Sequence, residues 1–268
     1  MQVLNRRTVL ALLALGAATP ALAQEGTGAT RIGVVLMHGK GGSPTGLVAE
    51  LATYLVAQGM RVRNLEMPWS QRRQYDASPE QAQQQVAQAL AELRAQGAQR
   101  VVLVGHSQGA VFALHLAAQL PVDGVVAIAP GGNTATELYG QKLGAYLDKA
   151  RTLVAAGQGA EIGGFADYEG SKGLSTVQTR ADWYAAWFDP QGAMAQERAL
   201  RAVPATVPVL YLAPTGDYPA LRRANPALFA LLPPNARSRF EQPDASHMQA
   251  PTAARERIAQ WLLDAGAP

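Results

Sequence analysis

Ser107 stands in Gly105-His106-Ser107-Gln108-Gly109, and a serine flanked by glycines in this way can be a nucleophile if the chain turns sharply around it. Val101-Val102-Leu103-Val104 precedes it, an apolar and mostly β-branched run that predicts a buried parallel strand. The run from Ala110 to Leu120, apolar with small residues, predicts a helix. Where a strand turns at once into a helix, a glycine on each side of the serine lets the backbones approach. That turn holds the Ser107 hydroxyl exposed above the sheet edge. The following helix aims its N-terminal amides at whatever the serine attacks. An ordinary glycine-serine turn in a βα unit is the alternative reading of these residues. A serine nucleophile also needs a base, and the chain offers four histidines: His38, His106, His115 and His247. Only His247 follows the last predicted strand, on a loop that can return to Ser107. Asp217 stands just past the predicted strand Pro208–Leu212. Asp244, on the loop of His247 itself, is the weaker candidate because no separate strand places it. A plain turn aspartate is the alternative reading of Asp217.

The elbow, its strand and its helix resemble the α/β-hydrolase superfamily. So does the order Ser107, Asp217, His247, each residue following its own strand. The resemblance covers roughly Arg31 to Ala265, a cap region apart. It implies that His247 takes the proton of Ser107, that Asp217 orients the imidazole, and that an acyl-enzyme forms and is hydrolysed. Some members carry the acid one strand earlier. That place here holds Gly131-Gly132-Asn133, without a carboxylate, which favours Asp217. His38-Gly39-Lys40-Gly41-Gly42-Ser43, directly after an early strand, resembles the oxyanion loop. The backbone amides of Lys40 and Gln108 are then the expected donors, each worth roughly 3–4 kcal/mol in the transition state. A phosphate loop is the other use of such glycines, but the Walker spacing and its Lys-Ser/Thr pair are missing. His38 reads as a residue that fixes this loop. The implied activity is carboxylic-ester hydrolysis without metal or cofactor. Amide, peptide or thioester cleavage on the same triad, or a binding protein on a hydrolase scaffold, are the alternatives.

The elements that must position these residues are legible as alternating apolar runs and amphipathic stripes. Strands are expected at Ile32–Met37, Val62–Met67, Val125–Ala129, Pro208–Leu212 and Ser238–Glu241. Helices are expected over Thr45–Gln58, from Ser78-Pro79 to Gly97, over Pro219–Leu232 with a break at Pro226, and from Pro251 onward. Near-continuous apolar strands alternating with helices predict an α/β fold, a mostly parallel twisted sheet with helices on both faces. Ligands bind outside the carboxyl ends of such strands. Residues 133–203 hold no convincing core strand and are expected to form a helical cap insertion. Within it, Tyr139 to Val154 carries a helical stripe, and the glycine-rich stretch Glu161 to Thr176 reads as a mobile loop. Trp183, Trp187 and Phe188 in this insertion, with Trp69 on the loop 68–76, are candidate walls of a substrate pocket. Packing of the cap on the domain is the alternative for the cap aromatics. Arg72 and Arg73 on the same loop read either as a grip on an anionic substrate or as a solvated basic loop.

The 268 residues suffice for one large α/β domain, and 48% hydrophobic content supports a sizeable core. The absence of cysteine excludes disulfides, thiolate metal sites and a cysteine nucleophile. Asn5-Arg6-Arg7-Thr8, an apolar run Val9–Ala18 and Ala21-Leu22-Ala23 have the layout of an export signal over residues 1–23. The apolar run is too short for a comfortable membrane span. The paired arginines allow the twin-arginine route as well as Sec. Residues 24–30 read as a flexible leader and 31–268 as the hydrolase-like domain. The chain is thus expected to be exported, periplasmic or secreted, with no stable membrane anchor after cleavage. Its formal charge is +3, and loss of Arg6 and Arg7 with the signal would leave it near +1, which argues against a nucleic-acid partner. The expected partner is a small-molecule ester or amide.

Overall fold

The computed structural model describes residues 31–264; the expected signal at 1–23 and leader at 24–30 lie outside the described residues. The chain alternates strand and helix from β1 (Ile32–Met37) through α1 (Ala49–Ala57), β2 (Arg61–Leu65), α2 (Pro79–Ala95), β3 (Arg100–His106) and α3 (Gln108–Ala117) to β4 (Gly124–Ile128). It then leaves the sheet for α4 (Glu137–Ala155), β5 (Ile162–Glu169), β6 (Gly173–Arg180), α5 (Ala181–Trp187) and α6 (Gln196–Ala202). It returns through β7 (Val209–Leu212), α7 (Pro219–Phe229) and β8 (Arg239–Glu241), and ends on α8 (Ala250–Ala253) and α9 (Arg255–Asp264).

The main sheet is six-stranded and parallel, in the order β2-β1-β3-β4-β7-β8. Successive side chains of a strand point to opposite faces, so each apolar run feeds two cores. Val35, Met37, Leu103 and Ala127 pack with α2 and α3 on one face. Val34, Leu36, Val104 and Val126 pack with α1 and α9 on the other. This covering of both faces is why the central strands read as continuous apolar segments. The helix starts follow local chemistry. Ser78 accepts from the Gln81 backbone while the Gln81 side chain returns to the Ser78 N–H, a capping box that opens α2 with Pro79 in its first turn.

β1 and β3 are neighbours, and Met37 pairs with Gly105. The loop after β1 and the elbow after β3 therefore leave the sheet side by side. The elbow depends on its glycines. A Cβ on Gly105 would lie 2.1 Å from the Gly109 carbonyl oxygen, and one on Gly109 would lie 2.5 Å from that of Met37. Helix α3 thus crosses the strand ends at a distance that only bare backbone permits.

Three expectations need correction. Helix α1 begins at Ala49 rather than Thr45, because residues 43–49 make successive tight turns around Gly46. Helix α7 runs through Pro226, which lies on the exposed face where water can take the carbonyl it leaves free. The insertion is not wholly helical: the stretch read as a mobile loop is an antiparallel hairpin, β5 paired with β6 from Ile162↔Arg180 to Glu169↔Gly173. Gly170 and Gly173 belong to its turn, where Gly173 takes a φ of +79°. Val177 and Thr179 of β6 alternate inward, while Phe165, Ala166 and Asp167 of β5 are buried in succession.

Gly105→Ala is expected to cost more than about 3 kcal/mol or to prevent soluble folding, because backbone rather than a flexible side chain blocks the methyl. Gly144→Ala on α4, where an added Cβ meets nothing within 4 Å, should instead gain about 0.5–1 kcal/mol from helix propensity. Thermal melts of the two variants beside the wild type check both signs.

Candidate active site

Ser107 opens α3 with φ 54° and ψ −117°. A non-glycine residue held at positive φ is strained, and here the strand behind and the helix ahead impose it. The strain carries the hydroxyl off the elbow toward His247, whose Nε2 lies 3.0 Å from Ser107 Oγ. His247 Nδ1 lies 2.8 Å from Asp217 Oδ1. A carboxylate only accepts, so Nδ1 carries the proton, and Nε2 offers its lone pair to the serine hydroxyl. The Asp217 side chain is fully buried and also accepts the Tyr218 N–H at 2.7 Å.

The loops that bring these groups together are stitched to one another. Gly216 bridges Ser246, the Gly216 N–H donates to the Ala245 carbonyl, and the Thr215 N–H donates to that of Pro243. The loop after β7, with Asp217, and the loop after β8, with His247, are therefore tied together. Asp244 takes part in this stitching by accepting from the Thr215 hydroxyl at 3.1 Å; it does not meet the imidazole. His106, beside the serine, donates from Nε2 to the His247 carbonyl at 2.9 Å. Burial, and then the neighbouring His247, push the His106 pKa down to about 4, so it holds the loop as a neutral ring.

The loop after β1 is braced in a similar way. The His38 ring donates from Nδ1 to the Gly39 carbonyl at 2.8 Å, and its Nε2 accepts the Met67 N–H at 3.0 Å. Burial lowers its pKa, which favours this neutral form. Trp69 Nε1 donates to the His38 carbonyl, and the Gly41 N–H to that of Trp69, each at 2.9 Å. A Cβ on Gly39 would lie 3.1 Å from Ser107 Cβ, so the loop passes directly against the serine. Among the described residues, no acceptor is found for the N–H of Lys40 or of Gln108. His115 lies elsewhere on α3, stacked on Phe112.

The aromatic candidates lie mainly in the junction between insertion and domain. Trp69 and Trp187 are buried edge to face, with both rings against Phe112. Trp187 Nε1 donates to the Ala77 carbonyl, and Phe188 packs between Tyr75 and Tyr184. Trp183 sits on the less buried side, under the Arg180 guanidinium. Arg72 pairs with Glu66, and Arg73 joins Asp76, Gln85 and the Glu66 carbonyl. Both arginines are occupied in holding their own loop.

Two residues near the site escaped the sequence. Asp167 of β5 takes the Lys40 ammonium, and Tyr75 donates to the same carboxylate. Neither belongs to a motif. The one available signal is a carboxylate at a buried position of the hairpin, a stretch whose glycines read as a loop.

The sequence profile of the alpha/beta hydrolase family matches residues 11–266. No curated protein matches the chain. Among solved structures, a monoacylglycerol lipase from Paleococcus ferrophilus is similar at 19% identity and TM-score 0.59, covering 87% of this chain and 95% of that one. Est1E from Butyrivibrio proteoclasticus with ferulic acid bound has 14% identity and TM-score 0.58, with 87% and 88% covered. The thioesterase domain from the curacin biosynthetic pathway has 15% identity and TM-score 0.53, with 88% and 92% covered. At these identities the likeness is one of fold.

The lowered pKa of His106 makes stability depend on pH. Between about 4 and 6.5 the unfolded chain binds a proton that the folded chain refuses, so stability falls as pH drops through that window. The loss attributable to this ring is on the order of 3 kcal/mol. Urea titrations of wild type and His106→Asn from pH 7 to pH 4 check it: the variant should be less stable at pH 7 and lose less on acidification.

Proposed function

The chain belongs to the alpha/beta hydrolase family, and we propose that it is a serine hydrolase cleaving a carboxylic ester through an acyl-enzyme. The observation that carries this reading is the unbroken relay from Ser107 Oγ to His247 Nε2 at 3.0 Å and from His247 Nδ1 to Asp217 Oδ1 at 2.8 Å. In this reading His247 accepts the Ser107 proton as Oγ attacks the carbonyl carbon. The imidazolium that forms is stabilised by buried Asp217 and then protonates the leaving alkoxide. Water, deprotonated by the same Nε2, attacks the acyl carbon and frees Ser107 and a carboxylic acid. The N–H groups of Lys40 and Gln108 receive the oxygen as it gains charge. No step calls for a metal or cofactor.

Esters are favoured because an alkoxide leaves more readily than an unprotonated amide nitrogen, so the ester asks less of the site. Two of the similar folds belong to a protein named as a monoacylglycerol lipase and to one with ferulic acid bound. Residues 133–203 serve as the cap that selects the small-molecule substrate, with Phe188 and the neighbouring aromatics walling its inner side. Residues 1–23 direct export, by the twin-arginine or Sec route, to the periplasm or beyond. Among the described residues no helix is long and apolar enough to cross a membrane.

Turnover of p-nitrophenyl esters of increasing chain length, wild type beside Ser107→Ala, tests the reading. Ser107→Ala should lose about 10⁴-fold or more in kcat while keeping its fold, and the chain-length optimum sizes the acyl pocket. Full turnover by a folded Ser107→Ala protein would overturn it. Turnover of thioesters or amides with none of esters would move the reading to those substrates on the same serine.

A further inference from the structure

Lys40 and Gln108 are the two residues whose backbone amides the serine-hydrolase reading sends to the oxyanion. The Lys40 side chain reaches one carboxylate of the insertion directly, and that of Gln108 reaches it through Tyr75. Asp167 Oδ1 takes the Lys40 ammonium, with the two side chains only 12% and 6% exposed. Asp167 Oδ2 accepts the Tyr75 hydroxyl at 3.2 Å. The Tyr75 oxygen stands 3.4 Å from both Oε1 and Nε2 of Gln108. The ammonium also donates to the Tyr168 carbonyl at 3.0 Å and to the Tyr139 hydroxyl at 3.5 Å.

Two physical features make this more than a fastening of insertion to domain. A buried ion pair loses most of its Coulombic gain to desolvation, so an apolar contact would fasten the two parts at least as well. Burial presses the Lys40 ammonium toward its neutral form, but Asp167 together with the Tyr75 and Tyr139 hydroxyls outweighs that and raises its pKa. The Tyr75 backbone is also strained, at φ 60°, and the hairpin itself restrains it: the Thr179 hydroxyl donates to the Tyr75 carbonyl at 2.6 Å, and the Gln178 N–H to the Gln74 side chain at 3.1 Å. The hairpin thus reaches both donors of the oxyanion pocket through a single node.

We infer that Asp167 and Tyr75 are positioning residues, through which the inserted hairpin fixes the directions of the Lys40 and Gln108 amides. The inference rests on the serine-hydrolase reading. It makes catalytic competence depend on the hairpin being seated, so the insertion sets the rate as well as the choice of substrate.

The test measures kcat, KM, thermal midpoint and the Ki of a trifluoromethyl ketone for wild type, Ser107→Ala, Asp167→Asn, Tyr75→Phe and the double variant. The ketone forms a hemiketal oxyanion on Ser107 and so reports the pocket directly. Asp167→Asn and Tyr75→Phe should lower kcat by about 10–100-fold with KM nearly unchanged. Ki should rise by the same factor as kcat/KM falls. The double variant should lose little more than Asp167→Asn alone, because both act through one node. Should Asp167→Asn fail to fold, Tyr75→Phe, which deletes one oxygen and leaves the ion pair, carries the test by itself. Unchanged kcat and Ki in a folded variant, or a fall in kcat with Ki unmoved, overturns the inference while the hydrolase reading stands. A wild type with no Ser107-dependent turnover overturns both.

Discussion

The site depends on a close approach of backbones at the ends of two adjacent strands. Gly105 and Gly109 let helix α3 cross the end of β3 without side chains in the gap, and Gly39 lets the neighbouring loop lie against Ser107. Each contact is possible only because β1 and β3 are parallel neighbours in a register that sets Met37 opposite Gly105. The crowding leaves Ser107 at a positive φ, and the cost is sustained by a strand and a helix buried on nearly every side. Strain at the serine and burial of its supports are two aspects of one arrangement.

Around that corner, neutral groups do most of the positioning. His38 and His106 are both buried, both have lowered pKa values, and both spend an N–H on a backbone carbonyl of a loop beside the serine. A protonated His106 would repel the imidazolium that the proposed chemistry creates on His247, whose ring centroid lies 5.1 Å away. The buried charges lie where charge has a use: Asp217 against His247, and Asp167 against Lys40. One pair lies on the relay side of Ser107, the other on the loop beside the proposed oxyanion donors.

The parts written as local pattern were legible in the sequence. The apolar runs gave the central strands to within a residue or two because those strands are covered on both faces, so periodicity and burial agree. The serine corner was legible because its glycines answer a steric need that nothing else meets. His247 and Asp217 could be proposed because each stands just beyond its own strand, and the structure brings them together with Ser107. The hairpin was not legible: with glycines at its turn and in β5, and three successive buried residues in β5, it offers no clean period of two. Asp167 and Tyr75 were illegible for a deeper reason. Their meeting joins residues 92 apart in the chain through a contact that no local pattern encodes. Arg72 and Arg73 looked available in sequence and are occupied in space, because their partners lie in the same loop or just beyond it.

The most direct measurement of the central claim is covalent labelling of the full chain by an alkyl fluorophosphonate, followed by intact mass and peptide mapping. A serine whose proton is drawn toward His247 displaces fluoride and keeps the phosphonyl group. The account predicts one adduct per chain, located on Ser107, and none after heat denaturation. Absence of an adduct on folded protein, or an adduct on another residue, would contradict it.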